Sequence, residues 1–422
     1  MEYKQTELKK GINFHTIHTD KFKTNLIAIF LTTALNRENV TKNAVISALL
    51  RRGSKTMPSQ EEISKEMEEM YGASFDCGLD KTGDNQVLKF YIETINDNFL
   101  PQKGEDILET SIEKLLEIVL DPYIEEGFKT EYVEQEKNNI RQRIEGKIDN
   151  KAKYAMDRCI EEMYKDQPFG LYRFGYLEDL DKMDGKNLYN YYQELINTCK
   201  IDIFVSGIIK DDMNQIVKNN DNIKKLKERT PNYKIPKELN KNLMEKEKVV
   251  TESMEVTQGK LILGLDVHLE KEDLRYDTLI YNSILGGSAN SKMFQNVREK
   301  AHLAYVASSS YLRYKNNIFV NCGIEIANYE KALALIKQQI EDMKKGEFTE
   351  EEIENAKKGI IATIKTIEDE QDTGITYYFG QELSQNNISI EEYMEKIEKV
   401  TKDDVIHIAE NIAIHTIYFL KN

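Results

Sequence analysis

Two residues with complementary hydrogen-bonding chemistry, Arg298 and Tyr305, lie seven positions apart in the stretch GGSANSKMFQNVREKAHLAYVASSSYL, Gly286–Leu312. The pattern predicts a glycine pair, a short helix that ends near Arg298, and a strand that begins near Tyr305. A guanidinium and a phenol that meet at one mouth would be donors for the carbonyl groups of a peptide. The simpler interpretation is a surface arginine and a half-buried strand tyrosine.

Length and charge exclude several other classes of protein. The chain has 422 residues, enough for two domains, and its formal net charge is −15. The acidic residues are spread over predicted helices, which argues against a nucleic-acid surface. No apolar run approaches the roughly 18 residues of a membrane span, and the first residues do not resemble a signal peptide. We therefore expect a cytoplasmic protein that binds neither nucleic acid nor membrane, with its four scattered cysteines as free thiols.

An internal repeat indicates a duplication. The segment FKTEYVEQEKNNIRQRI, Phe128–Ile144, recurs with the same spacing of apolar and charged residues as FTEEEIENAKKGIIATI, Phe348–Ile364. Three further patterns match in the same order: residues 176–188 with 393–405, the strand at 200–206 with 412–420, and the apolar strand at 25–35 with 260–265. Four matches in one order predict two copies of the same fold.

The order of the predicted elements indicates an α+β fold class. Groups of strands are followed by groups of helices, so each copy should be a mostly antiparallel sheet with helices packed on one face. Helical periodicity runs over a long stretch at about 129–164. The predicted domains are residues 1–220 and 250–422, joined by a lysine-rich linker at 221–249.

These features together resemble the M16 (pitrilysin/insulinase) metallopeptidases, especially the short-chain subfamily that includes mitochondrial processing peptidase. The resemblance covers essentially the whole chain and implies two domains of the LuxS/metallohydrolase-like type. In that family the first copy carries an inverted zinc motif, HxxEH, and a third ligand, a glutamate, on a later helix. The second copy carries an Arg and a Tyr that hold the substrate backbone and the oxyanion. Arg298 and Tyr305 match these two within the motif R-x4-LAY.

The zinc positions depart from the family pattern. Counted back from Gly53, the positions of ligand, base and ligand are Ala44, Ser47 and Ala48, and Arg143 stands where the third ligand is expected. A zinc site needs about three protein ligands from His, Cys or carboxylate. The resemblance therefore implies no metal and no cofactor in this chain, and Arg143 would in addition repel a cation.

The remaining residues do not replace the lost ligands. His15 and His18 are three apart on a predicted strand and should point to opposite faces. The other histidines are isolated, and the sequence contains neither a GxSxG elbow nor a P-loop.

Two functions from different classes stay open. In the first, the chain is one half of a split peptidase: an M16 partner subunit with an intact HxxEH carries the zinc in a heterodimer, and Arg298 and Tyr305 bind the peptide substrate and its oxyanion. In the second, the chain is a non-catalytic binding or scaffold subunit in which both residues are structural. A homodimer in isolation is compatible with either. A stand-alone zinc peptidase is a third alternative, which the empty ligand positions disfavour.

Overall fold

The protein was analysed as a computed structural model, which describes residues 2–100 and 106–422. The chain forms two compact units, and each unit combines three segments. Unit 1 comprises Met1–Glu145, Leu171–Ile235 and Ile367–Leu383. Unit 2 comprises Gly146–Gly170, Pro236–Thr366 and Ser384–Asn422.

Each unit contains one β-sheet. The strands of unit 1 are β1 (Glu2–Lys9), β2 (Ile12–His18), β3 (Thr24–Ala34), β4 (Ser74–Thr82), β5 (Asn85–Ile95) and β6 (Lys200–Gly207). The strands of unit 2 are β7 (Lys248–Ser253), β8 (Gly259–Val267), β9 (Ala304–Leu312), β10 (Asn317–Ile324) and β11 (Ile412–Lys421).

The two sheets share one topology, which confirms the predicted duplication. The strand order is β1-β2-β6-β3-β5-β4 in the first sheet and β7-β11-β8-β10-β9 in the second. Apart from the additional β1, the two orders correspond strand by strand. In each sheet one neighbouring pair is parallel, β2 with β6 and β7 with β11, and the other pairs are antiparallel. The predicted α+β class with mostly antiparallel sheets is therefore confirmed.

Helices occupy most of the remaining chain. In chain order they are α1 (Val40–Leu49), α2 (Gln60–Glu69), α3 (Ile107–Leu120), α4 (Thr130–Glu145), α5 (Lys151–Met163), α6 (Leu177–Leu180), α7 (Gly185–Thr198), α8 (Met213–Asn219), α9 (Asp221–Lys225), α10 (Leu274–Asn282), α11 (Tyr329–Lys344), α12 (Glu350–Lys365), α13 (Gln371–Leu383), α14 (Ile390–Glu398) and α15 (Lys402–Glu410). Two π-helical segments, Ser283–Gly287 and Met293–Lys300, follow α10.

The two copies exchange one helix in each direction. Helix α13 belongs to unit 1, where Phe379 packs edge-on against Phe30 of β3 with ring centres 4.6 Å apart. Helix α5 belongs to unit 2, where Met163 packs against β8 at Gly264. A Cβ at Gly264 would lie 2.9 Å from the Met163 sulfur, so a larger residue there would displace the Met163 side chain. Helix α13 packs on β3 and β6, and α5 packs on β8 and β11.

This exchange explains two features of the sequence. The strand β3 reads as a near-continuous apolar run because it is buried along nearly its whole length. The long helical stretch at 129–164 divides into α4 and α5 at Gly146–Ile148, where the chain passes from unit 1 to unit 2. The predicted domains, 1–220 and 250–422 with a linker at 221–249, follow the sequence repeat, and they stay a prediction. The compact units divide the chain differently, because each combines three separate segments.

Candidate functional site

Arg298 lies in the last turn of the π-helical segment Met293–Lys300, as the sequence predicts for a helix end. Its guanidinium carbon is 4.5 Å from the centre of the Phe294 ring, and its Nε is 3.4 Å from a carboxylate oxygen of Glu299. The side chain remains 42% exposed. Stacking on an aromatic face restrains a guanidinium while leaving N–H groups on its edge free to donate.

Tyr305 lies at a β-bulge near the start of β9. Its neighbours Ala304 and Val306 pair with Ile324 and Gly323 of β10, and the register shifts between these two partners, so Tyr305 is the extra residue. Tyr305 is 81% exposed, whereas Ala307, two residues further on, is 4% exposed. Simple alternation would place both side chains on one face, and the bulge re-aims the tyrosine instead. The half-buried strand tyrosine of the simpler interpretation is therefore not observed.

Arg298 and Tyr305 line the same cavity, which has a volume of about 330 Å³ and lies within unit 2. Its wall also includes the carboxylates of Glu299 and Glu325 and the backbone around His302. His302 has a φ of 53°, in the left-handed region, and connects the π-helical segment to β9. The structure thus brings together the two residues that were selected from the sequence.

The glycine pair has a packing role in this arrangement. A Cβ at Gly286 would lie 2.5 Å from the backbone nitrogen of Ser309 on β9. Only glycine therefore allows the π-helical segment Ser283–Gly287 to approach β9 so closely. Gly286 fixes the strand that carries Tyr305.

The four predicted zinc positions also converge, in a second cavity of about 440 Å³ within unit 1. Ala44, Ser47 and Ala48 lie on α1, and Arg143 lies near the end of α4. All four line this cavity, so the positions that the family resemblance assigned to one site do share one site.

The residues at these positions do not fit a zinc ion. The Ser47 hydroxyl donates to the carbonyl oxygen of Gly78 at 3.2 Å, and the Arg143 guanidinium carbon lies 5.4 Å from the centre of the Phe174 ring. The acidic side chain in the cavity wall, Glu136, accepts a hydrogen bond from Arg52. Within residues 2–100 and 106–422, no group of three or more His, Cys, Asp or Glu side chains is placed to hold a metal.

The first hairpin has the orientation expected for its histidines. His15 is fully buried and its Nε2 lies 3.0 Å from Asp202 on β6, whereas His18 is exposed. The four cysteines are free, and three of them are buried. In the part of the chain that the structure describes, no helix is long and apolar enough to cross a membrane.

Sequence reasoning missed two arginines in the zinc-position cavity. Arg51 and Arg52 line it together with Arg143. They follow Ala48 at the third and fourth positions along the continuation of α1, a spacing that places side chains on one helix face. That spacing was a usable signal for a positively charged wall.

Fold and site together define a protein with duplicated M16-type domains and substituted metal-ligand positions. The family profile described as "Peptidase M16 inactive domain" matches residues 182–360. The chain is 34% identical over 418 residues to the "Probable inactive metalloprotease YmfF" of Bacillus subtilis strain 168, covering 97% of this chain and 96% of that relative. The chain therefore belongs to the M16 peptidase family and is an inactive-type homologue of its metalloproteases.

Solved structures agree on the fold. A conserved protein from Enterococcus faecalis V583 is 28% identical, superposes with a TM-score of 0.91, and is matched over 100% of this chain and 99% of its own. A peptidase M16 inactive domain from Pseudomonas fluorescens superposes with a TM-score of 0.79 at 15% identity, over 100% of this chain and 98% of that one.

Proposed function

We propose that this chain is the peptide-holding subunit of a heteromeric peptidase, in which an M16 partner with an intact HxxEH motif supplies the zinc centre. The observation that supports the proposal is an asymmetry between two cavities. Arg298 and Tyr305 are exposed at the cavity of unit 2, whereas the positions for zinc in unit 1 hold Ala44, Ser47, Ala48 and Arg143.

Tyr305 is suited to donate a hydrogen bond to a substrate oxygen. Its hydroxyl makes no hydrogen bond to any other residue in 2–100 or 106–422, and its side chain is 81% exposed. A donor of this kind stabilises the oxyanion of a tetrahedral intermediate, and a single such donor is worth roughly 3 kcal/mol in known hydrolases. The metal of the partner would activate the attacking water.

Arg298 is suited to position the peptide. Its guanidinium is restrained by Phe294 at 4.5 Å while the side chain stays 42% exposed. An oriented guanidinium donates to two carbonyl oxygens at once and so fixes the register of an extended backbone.

The neighbouring strand offers a place for such a backbone. Strand β9 is at the edge of its sheet and pairs with β10 alone among the described strands. Its first residues, including Val306 at 48% exposure, are open. An edge strand accepts an extended peptide as an additional strand, which would bring the peptide's carbonyl groups beside Tyr305.

Reconstitution tests the proposal. The chain is mixed with a purified M16 chain that has an intact HxxEH, and cleavage of a peptide library is followed by mass spectrometry. We expect cleavage by the mixture and none by this chain alone. Arg298→Ala should reduce that cleavage, whereas Lys300→Ala, on the same helix but outside the cavity, should not. Equal cleavage by the Arg298→Ala and Lys300→Ala complexes would contradict the proposal.

A binding or scaffold subunit is the second candidate. It is favoured by the carboxylates in the same cavity, because Glu299 lies 3.4 Å from the Arg298 guanidinium and partly neutralises it. A stable complex with the partner that shows no cleavage would select this function.

A further inference from the structure

The cavity at the former zinc positions is lined by three arginines, Arg51, Arg52 and Arg143, and we call it the basic pocket. It lies entirely within unit 1 and has a volume of about 440 Å³. That volume is within the range of sites for small molecules, roughly 300–1,000 Å³. The chemistry of the basic pocket depends on unit 1 alone and is independent of the roles proposed for Arg298 and Tyr305.

The charges in the basic pocket do not balance. Glu136 is the acidic residue in its wall, and both of its carboxylate oxygens already accept hydrogen bonds. One accepts from Arg52 and the other accepts from Asn139 at 3.0 Å. The Glu136 side chain is only 5% exposed, so it cannot turn toward a second arginine without breaking these bonds.

Arg51 and Arg143 therefore remain without a neutralising partner. Neither forms an ion pair with a carboxylate anywhere in residues 2–100 and 106–422. This is notable in a chain whose formal net charge is −15, where carboxylates outnumber basic groups. Arg51 is half-buried and Arg143 is exposed, and two positive charges that line one concave wall attract anions.

Other side chains in the wall of the basic pocket restrain or supplement these arginines. The Arg143 guanidinium is restrained by Phe174, whose ring centre is 5.4 Å away. Burial raises the pKa of the Cys77 thiol in the pocket wall; Asp76 and Glu136 add to that rise, and Arg51 and Arg143 oppose it. The amides of Gln60 and Gln142 provide further donors in the same wall.

We propose that the basic pocket is a binding site for a small oxyanion, a phosphate or a carboxylate, held between Arg51 and Arg143. Planar guanidinium groups present paired N–H donors that match the oxygens of both groups. Loss of the metal ligands thus leaves a site of opposite charge preference, and the arginine at the third ligand position becomes a ligand for an anion.

Isothermal titration calorimetry of the full chain with inorganic phosphate and with succinate tests this proposal. We expect one site for at least one of the two anions. Arg51→Gln and Arg143→Gln should each weaken binding about tenfold, the effect of losing one charged hydrogen-bonding partner. Arg141→Gln is the matched control, since Arg141 lies on the same helix, pairs with Asp181 at 3.0 Å and does not line the pocket.

The outcomes separate clearly. Binding of phosphate alone assigns a phosphoryl ligand, and binding of succinate alone assigns a carboxylate ligand. Binding of neither anion, or binding that is unchanged in both Arg51→Gln and Arg143→Gln, overturns the proposal. Circular dichroism of each variant verifies that the fold is intact, and both arginines are accessible enough for this to be expected.

Discussion

The guanidinium carbon of Arg298 lies 4.5 Å from the centre of the Phe294 ring, one helical turn earlier in the same segment. This contact holds in place the cation that we propose to position a peptide. A stacked arginine loses less freedom on binding than a mobile one, so the ring contributes to peptide affinity without contacting the peptide.

Phe294→Leu should therefore weaken peptide binding by the reconstituted complex about 2–5-fold, corresponding to the roughly 0.5–1 kcal/mol of an exposed cation–π contact. We expect the change in KM rather than in kcat, measured by steady-state cleavage kinetics. A Phe294→Leu complex with an unchanged KM would show that the ring does not orient Arg298.

The residues at the zinc positions of unit 1 can be reverted. Ala44→His, Ser47→Glu, Ala48→His and Arg143→Glu together place the family's zinc-site residues around one cavity. Positions 44 and 48 lie one turn apart on α1, the spacing that lets two histidines share a metal. We expect about one zinc per chain in this variant by elemental analysis, and none in the parent chain. A variant that binds no zinc, or a parent chain that binds one, would contradict the assignment of these positions.

A buried charge cluster stabilises unit 1. Asp202 on β6 is fully buried and accepts from Lys200 and from His15. Burial alone would raise the pKa of the Asp202 carboxyl, but the Lys200 ammonium and the His15 hydrogen bond hold it well below its ordinary value. Its stabilising contribution is present above the unfolded pKa of about 4 and is lost as the pH falls through the folded value.

Asp202→Asn should lower the free energy of unfolding by about 1–3 kcal/mol at pH 7, because the buried Lys200 ammonium loses one of its two carboxylate partners and keeps Glu382 at 3.1 Å. Urea denaturation measures this loss. Asp20→Asn, at an exposed carboxylate, is the control and should change stability by less than about 0.5 kcal/mol. Equal stability of the two variants would contradict the role assigned to the cluster.

The contribution of Asp277 to stability depends on pH in the opposite direction to that of Asp202. Burial, together with the nearby charges of Asp404 and Asp273, raises the pKa of Asp277 to about 7. The folded state therefore holds an extra proton between pH of about 4 and 7, and stability falls as the pH rises through that window. Asp277→Asn should raise the melting temperature at pH 8 and change it little at pH 5.

The size of this effect is limited by solvent. The Asp277 side chain is only half-buried, so we expect about 1–2 kcal/mol at pH 8 after allowance for screening. Differential scanning calorimetry at the two pH values measures the difference. Asp403→Asn, at an exposed carboxylate on α15, is the control. A stabilisation by Asp277→Asn that is the same at pH 5 and pH 8 would contradict the raised pKa.

Much of this architecture could be predicted from sequence because it follows from periodicity. The apolar runs indicated the central strands β3 and β8, and the repeat at Phe128–Ile144 and Phe348–Ile364 indicated the duplication. Arg298 and Tyr305 were selected from their spacing and the family resemblance, and the four zinc positions from the resemblance applied position by position. Each of these signals is local, or is a match between two local patterns.

The remaining features depend on tertiary contacts. The apolar faces of α5 and α13 show that each helix is partly buried, but they carry no information on which sheet buries it, so the exchange between units was not predicted. The bulge that exposes Tyr305 arises from its pairing with β10, and alternation along one strand does not reveal it. The basic pocket requires Arg143 of α4 to line the same cavity as Arg51, which follows α1, and these two residues are far apart in the chain.

The hydroxyl of Tyr305 provides the most direct test of the proposed split peptidase. In the complex with a zinc-bearing M16 partner, kcat for peptide cleavage is measured with the parent chain, with Tyr305→Phe and with the control Tyr123→Phe, whose hydroxyl lies 3.3 Å from Glu125 in unit 1. We predict that Tyr305→Phe lowers kcat about 10²–10³-fold, the loss of one oxyanion donor, while KM and complex formation stay unchanged. A Tyr305→Phe complex that cleaves as fast as the Tyr123→Phe complex would contradict the catalytic role and leave the scaffold function in its place.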